Sequence, residues 1–400
     1  RIPPASRQKS GPNHPTMKTR LFPLILPLLL IFAGCGQRDG GGGSDNAIKV
    51  GQITNRTGAT SDIGVPLADG VRDAWRWINA NGGVRGRQVQ VIEIEAGYDI
   101  PRTIAGFRRL VDDERVPLIH GFGTPDSAAV LPLANRARVI YMPTSYAAEF
   151  VDAEHAPYFF ITNADYSTAG RSAVQFVAKE EGRLGLARNP GGFGIAPIPA
   201  IKQEAASLGV TIVAEEDIGY TPTDAVQQTL SFINSRASHI WMGNTNAAMN
   251  VLARDLARQG SNAKIVGNIY AGDEAFIRNA GQDAEGHFSL YGSVPYGDES
   301  APAMEAIMAA NYTSPDTHYI RGWAQALLAA EVIGRAIDEE LELTGENLRQ
   351  MFHTLRDFSP GGLVPPISYF EDDHRPSMTV PIYQVENARW VLVWNNTLER

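Results

Sequence analysis

Residues 119–150, IHGFGTPDSAAVLPLANRARVIYMPTSYAAEF, leave the chain few arrangements. Pro117 to His120 is a short apolar run of the length of a buried strand. Gly121-Phe122-Gly123-Thr124 follows, and Pro125-Asp126-Ser127 has the composition of a helix start. Helical spacing runs from Ala128 to Arg138, and Val139 to Met142 is a second buried strand. Pro143-Thr144-Ser145-Tyr146 is then another hydroxyl-bearing loop. Two consecutive strands joined by a helix are parallel, so both loops leave the carboxyl ends of the same sheet. That rim is where open α/β sheets bind ligands. Ordinary surface turns have the same composition, so this stretch alone leaves both readings open.

The same βα alternation continues along the chain. Ala47 to Ile53 reads as a first strand, and the loop Thr54 to Ser61 offers Thr57 and Ser61 as hydrogen-bonding groups. A helix follows over 65–80 and is stopped by Asn81-Gly82-Gly83. Gln88 to Glu95 alternates as a strand and leads to a loop with Tyr98 and Asp99. Ala156 to Thr162 reads as extended. Asn163-Ala164-Asp165-Tyr166 ends it, and a helix is expected over 167–181. Further strands are expected at 183–187, 210–215, 239–242 and 264–267, with a helix over 222–235. The loops after the last two carry Gly243-Asn244-Thr245-Asn246 and Asn268-Ile269-Tyr270. Helices near 301–311, 319–340 and 344–356 precede strands near 366–370, 379–385 and 389–394. No short tandem repeat is present, and the class is α/β.

Several stretches in this order resemble the type I periplasmic binding proteins, specifically the branched-chain amino acid (Leu/Ile/Val-binding-like) branch of ABC-transporter receptors. They are Asp69-Gly70 with INANGGVRGRQVQV (78–91), DEAFIRNAG (273–281), AEGHF (284–288), HYIRGW (318–323) and FSPGGLVPPISYFEDDHR (358–375). The resemblance implies two doubly wound α/β lobes joined by a three-strand hinge. It places 47–164 with 290–358 in the first lobe and 165–289 with 359–400 in the second. A small organic acid or amino acid would bind between the lobes and be buried by closure. The partners it implies are that ligand and the membrane subunits of an ABC permease. The protein is expected to be a monomer.

The amino-terminal residues read as an address. Residues 1–16 have no apolar periodicity and are expected to be disordered or an over-long extension. Residues 17–34 carry a basic start, an apolar run from Leu21 to Phe32 and a small pair, Ala33-Gly34, as a secretory signal does. Cys35, the single cysteine, follows at the cleavage point and resembles a lipoprotein lipidation site. Gly36 to Asn46 is a flexible Gly/Ser tether. Residues 1–34 hold five basic and no acidic side chains, so their removal takes the formal net charge from −9 to −14. That balance argues against a nucleic-acid partner. The expected location is the periplasm or cell envelope, with membrane contact only through the lipid on Cys35.

The residues offer little for catalysis. The eight histidines are scattered, without an HExxH pair, and no GxSxG elbow is present. Asn189 to Gly194 is Gly-rich but lacks the Gly-Lys-Ser/Thr ending of a phosphate loop. Neither metal nor cofactor is expected, and no enzyme. The alternatives to a transport receptor are a ligand sensor presenting its solute to a signalling partner, and a hydrolase. In the amino-acid-binding relatives the first lobe holds the α-carboxylate through hydroxyls and loop amides. The matching groups here are Thr124, Ser127, Ser145 and the amides of Tyr146 and Ala147. The acid that meets the ammonium there aligns with Ile269, beside Tyr270. Asp273 is a possible substitute but reads as the start of the next helix. Phe122, Tyr146, Tyr166, Phe193 and Tyr270 are candidate aromatic walls, of which at least two are expected in the core. Thr57, Thr245 and Asn246 complete the candidate set. Such a cleft suits an apolar or aromatic acid without an α-amino group, with an amino acid as the alternative.

Overall fold

The computed structural model describes residues 47–310 and 316–400. The expected signal, the expected lipidation at Cys35 and the expected tether lie outside the described residues. The chain opens with β1 (Ile48–Thr54), α1 (Ser61–Ala80), β2 (Val89–Glu95), α2 (Ile100–Arg108), β3 (Leu118–His120), α3 (Thr124–Ala137) and β4 (Ile140–Met142). These strands form a parallel sheet in the order β2-β1-β3-β4. Leu118 pairs with Ile140 and His120 with Met142, so the loops after β3 and β4 leave the same edge side by side. This is the arrangement expected from the opening run.

The chain continues through α4 (Tyr166–Lys179), β5 (Leu184–Arg188), α5 (Gly192–Ile195), α6 (Ile198–Leu208), β6 (Ile212–Asp217), α7 (Val226–Asn234), β7 (His239–Gly243), α8 (Asn246–Arg258), β8 (Lys264–Gly267), α9 (Glu274–Ala280) and β9 (Phe288–Leu290). After α10 (Met304–Ala310), α11 (Thr317–Asp338) and α12 (Gly345–His353) it closes with β10 (Thr379–Glu386) and β11 (Arg389–Thr397). The second sheet has the order β11-β10-β9-β8-β7-β5-β6. Its β5 to β9 part is parallel, and β10 and β11 extend it antiparallel.

Each sheet is covered on both faces, which gives two lobes. The first core joins Val50, Leu118 and Ile140 to Trp75 of α1, Trp323 of α11 and Phe352 of α12. On the other face of that sheet Ile53 and Ile119 pack with Phe107, Val130 and Phe159. The second sheet has one core around Met242, Leu252 and Phe276, and another around Val174, Leu186 and Ile382. Leu363, Val364, Ile367 and Tyr369 belong to the first core, so that core extends past residue 358.

Helix starts follow local chemistry. Asp165 caps α4 by accepting from the Ser167 and Thr168 amides, at 2.9 and 3.1 Å. Asp273 caps α9 through the Phe276 amide and Asp316 caps α11 through the His318 amide, a use that satisfies otherwise orphaned donors. The helix expected over 65–80 begins earlier, at Ser61, and two further differences have a local cause. Residues 366–370 form no strand: Pro365 and Pro366 supply no amide donors, and only Ile367 bridges, to Phe358. The helix expected from 222 begins at Val226, because the Ala225 amide is drawn to Asp255, at 2.7 Å.

Candidate functional site

Loops from the carboxyl ends of both sheets converge on a small, narrow cavity. The first lobe contributes Thr60, Ile63, Tyr98, Phe122, Gly123, Thr124 and Thr144. The second contributes Tyr166, Phe193, Tyr220, Thr245 and Tyr270. A larger, open groove lies elsewhere, beside β10, β11 and the 293–300 segment, and holds none of the candidate residues. The convergence of strand-end loops marks the smaller cavity as the site.

Its walls are aromatic. Tyr98 meets Phe122 edge-on at 5.3 Å and Tyr220 of the opposite lobe at 6.4 Å. Phe193 contacts Tyr166 at 5.5 Å and Tyr270 at 5.8 Å. Tyr270 stacks on Tyr146 at 5.9 Å, and its hydroxyl donates to the Thr144 carbonyl across the lobes. Burial pushes the phenols of Tyr98, Tyr166 and Tyr270 up, so all three are neutral donors at pH 7.

The polar points are hydroxyls. The Thr124 and Ser145 hydroxyls are bonded to each other at 2.7 Å, on the loops after β3 and β4. Thr124 lines the cavity and Ser145 lies directly behind it, fully buried. Ser127, in the first turn of α3, donates its hydroxyl to the Phe122 carbonyl and does not line the cavity. Tyr146 is also buried, its hydroxyl accepting from Asn163 Nδ2 at 3.0 Å. Ala147 is buried beside it. Thr57 turns away from the cavity: its amide and hydroxyl both donate to Glu95, at 3.1 and 2.9 Å. Ile269 packs beneath Tyr166 and Phe193 rather than lining the cavity.

Neither Asp nor Glu lines the cavity. Asp273 is buried behind it and already engaged. Its carboxylate accepts from Asn246 Nδ2, from the Phe276 amide at 2.7 Å and from His318 Nε2 at 3.2 Å. Although burial raises its pKa, those hydrogen bonds win and hold it below the usual carboxylate value. Asn246 is thus a partner of Asp273, whereas its neighbour Thr245 reaches the cavity.

Thr60, Ile63, Thr144 and Tyr220 were not singled out from the sequence. Thr60 and Ile63 start α1, where turn chemistry hides them, and Tyr220 follows the outermost strand β6. Only the packing of one lobe against the other shows that they meet. Arg321, buried on α11 behind Tyr270, also carries no sequence signal beyond its place in the HYIRGW stretch. Among the described residues no group of three or more His, Cys, Asp or Glu side chains is arranged to hold a metal ion. No described helix is long and apolar enough to cross a membrane.

The sequence profile described as "Periplasmic binding protein" matches residues 47–389. No curated protein sequence matches the chain. Among solved structures, a branched-chain amino acid ABC transporter protein from Thermus thermophilus with bound valine is similar at a TM-score of 0.83 and 23% identity, covering 88% of this chain and 97% of that one. A substrate-binding protein of an ABC transporter from Aeropyrum pernix is similar at 0.80 and 25%, covering 87% and 95%. A fatty acid ABC transporter substrate-binding protein from Thermomonospora curvata is similar at 0.78 and 20%, covering 88% and 92%.

Proposed function

The chain belongs to the periplasmic binding protein family, and from that premise we propose that it is the lipid-anchored receptor of an ABC importer for a small apolar or aromatic carboxylic acid. The family's members are exported receptors for small solutes. In this reading the ligand sits between the lobes where these loops converge, closure of the lobes buries it, and a permease in the membrane takes it from the closed form. The protein acts as a monomer and performs no chemistry on its ligand. Cys35 carries the lipid and residues 36–46 are the tether.

The observation that carries the choice of ligand is the cavity lining: hydroxyls and aromatic rings, with no carboxylate. An α-ammonium buried there would have no anionic partner, which costs several kcal/mol. A carboxylate would still find hydroxyl donors at Thr124 and Tyr166, with Ser145 behind supporting the Thr124 hydroxyl. Of the similar structures, one holds bound valine and another is the substrate-binding protein of a fatty acid ABC transporter, so the fold suits ligands with and without an ammonium group.

Calorimetry with leucine and phenylalanine against 4-methylpentanoate and 3-phenylpropanoate tests the reading. The deaminated acid is expected to bind more tightly in each pair. Tighter binding of the amino acids would refute it and would require Asp273 to exchange Asn246 and His318 for the ligand. For the anchor, the full-length chain produced in a bacterium is expected to partition into detergent and the Cys35→Ala variant into the aqueous phase. Equal partitioning of the two would refute lipidation.

A further inference from the structure

Arg321 is the one guanidinium in the described residues that is both fully buried and without a carboxylate partner. It projects from α11, 1% exposed. Its Nη1 donates to His318 Nδ1 at 2.9 Å, which leaves His318 Nε2–H to donate to Asp273. The charge therefore reaches a carboxylate only through a neutral imidazole. Nε and Nη2 have no partner. Those two N–H groups form the side of the guanidinium that matches the two oxygens of a carboxylate. Arg56 gives the same edge to Glu93, Arg85 to Asp338 and Arg375 to Asp373.

What covers Arg321 is Tyr270, whose ring centre lies 5.2 Å from Cζ. Tyr270 is also a wall of the ligand cavity. The two belong to different lobes, Arg321 to a first-lobe helix and Tyr270 to the loop after β8. Tyr270 thus touches both the guanidinium and the cavity. The segments linking the lobes hold further buried polar atoms without partners: Asn163 Oδ1, Tyr291 Oη and Ser293 Oγ. A buried charge and several polar atoms left unsatisfied along one joint are unfavourable unless another partner fills them in the working cycle.

We infer that Arg321 is a carboxylate anchor at the floor of the cleft, its Nε–Nη2 edge taking the acid group of the ligand when Tyr270 moves off the guanidinium. The inference rests on the proposed reading that the ligand is an acid, and it adds a charged anchor to the hydroxyls of Thr124 and Ser145. The contact is non-covalent. It would give the Nε and Nη2 groups of a buried cation the partner they lack.

The test compares wild type with Arg321→Met and Arg321→Lys, using 3-phenylpropanoate, its neutral amide, acetate and chloride at constant ionic strength. Arg321→Met is expected to lose at least 100-fold in affinity for the acid and little for the amide, because only the acid uses the edge. Its melting temperature without ligand is expected to equal or exceed that of wild type, since an unpaired buried charge has gone. Arg321→Lys keeps the charge but not the paired N–H edge, and at least a 10-fold loss is expected; it decides the matter if the methionine variant does not fold. Equal acid binding by wild type and both variants would overturn the anchor while leaving the acid reading intact. Binding of the acid by none of the three would overturn the acid reading and the anchor with it. Stabilisation of wild type by chloride as strong as by acetate, lost in Arg321→Met, would make this an inorganic anion site and overturn the ligand assignment.

Discussion

His120 ends β3, the strand that delivers the Phe122–Ser127 loop to the cleft, and its hydrogen bonds dictate its charge. Trp75 Nε1 can only donate, so His120 Nε2, 3.1 Å away, must accept. His120 Nδ1 then carries the proton and donates to Gln325 Oε1 at 3.0 Å. Protonation would set an Nε2–H against the indole N–H. Burial is the main cause of its pKa being pushed down to about 4, with Gln325 opposing, against about 6.5 in an unfolded chain. Below pH 6.5 the unfolded chain therefore holds more protons than the folded one, so stability falls as pH falls, down to about pH 4. Linkage gives a loss of about 2 kcal/mol by pH 5 from this residue. For roughly 350 ordered residues that is about 3 °C in melting temperature. Calorimetry of wild type and His120→Gln at pH 7.5 and 5.0 checks it. The variant starts lower at pH 7.5, because the indole and amide partners are disturbed, but should lose about 3 °C less on acidification. His374, at about 4, and His287, at about 3, act in the same direction in both proteins. Asp126 and Asp316, raised to about 6 by burial, act in the opposite direction in both. Parallel acid limbs for the two proteins would show that His120 is protonated without penalty, and the reasoning would fail.

Ser145→Ala removes a buried hydroxyl and leaves Thr124 Oγ1 without its partner. Acid binding is expected to weaken by about 1–3 kcal/mol in calorimetry, and unchanged affinity would exclude the hydroxyl cradle. Phe193→Ala removes the ring that touches both Tyr166 and Tyr270. It should weaken 3-phenylpropanoate by about 1 kcal/mol more than 4-methylpentanoate, and an equal loss for both would show that Phe193 packs without contacting the ligand ring.

The sheets were legible because buried parallel strands are short apolar runs followed by turn residues. Leu118–His120 and Ile140–Met142 are three residues long yet readable from what flanks them. The segment Ile367–Tyr369 misled because its apolar residues answer to tertiary contacts. Tyr369 is buried, with its hydroxyl on the Ile161 carbonyl, and no neighbouring strand is paired with it. At the site, sequence position located the loops but not the direction of each side chain. Thr57 and Thr124 are both loop hydroxyls, yet Glu95 claims the first and the cavity receives the second. Tyr146 and Tyr270 are both loop tyrosines, yet one is buried beneath the other. Arg321 is the extreme case. It shares its face of α11 with the buried polar residues Thr317, His318 and Gln325, and only the joint between the lobes gives it meaning.

That joint also sets how readily the cleft closes. Glu274, on the second-lobe helix α9, accepts from the Thr317 amide at 2.8 Å and from the Thr317 hydroxyl at 3.1 Å, at the start of first-lobe helix α11. It accepts as well from the Tyr296 amide at 3.0 Å. With the Asp273–His318 contact, these bonds hold the lobes together on the hinge side of the cavity. A ligand shifts an opening equilibrium only by its preference for the closed state, so bonds present in that state alone add directly to affinity. Glu274→Ala removes three acceptor contacts and is expected to disfavour the closed state by about 2–4 kcal/mol. The unliganded variant should then show a larger radius of gyration than wild type in small-angle scattering. Acid binding should weaken while the radius at saturating acid stays the same. The weakening reflects the smaller fraction of molecules in the binding-competent form, because Glu274 does not touch the cavity. An unchanged radius without ligand, together with unchanged affinity, would mean that these bonds persist through opening. They would then belong to the hinge itself, and closure would depend on the ligand's own contacts with Thr124, Tyr166 and Phe193.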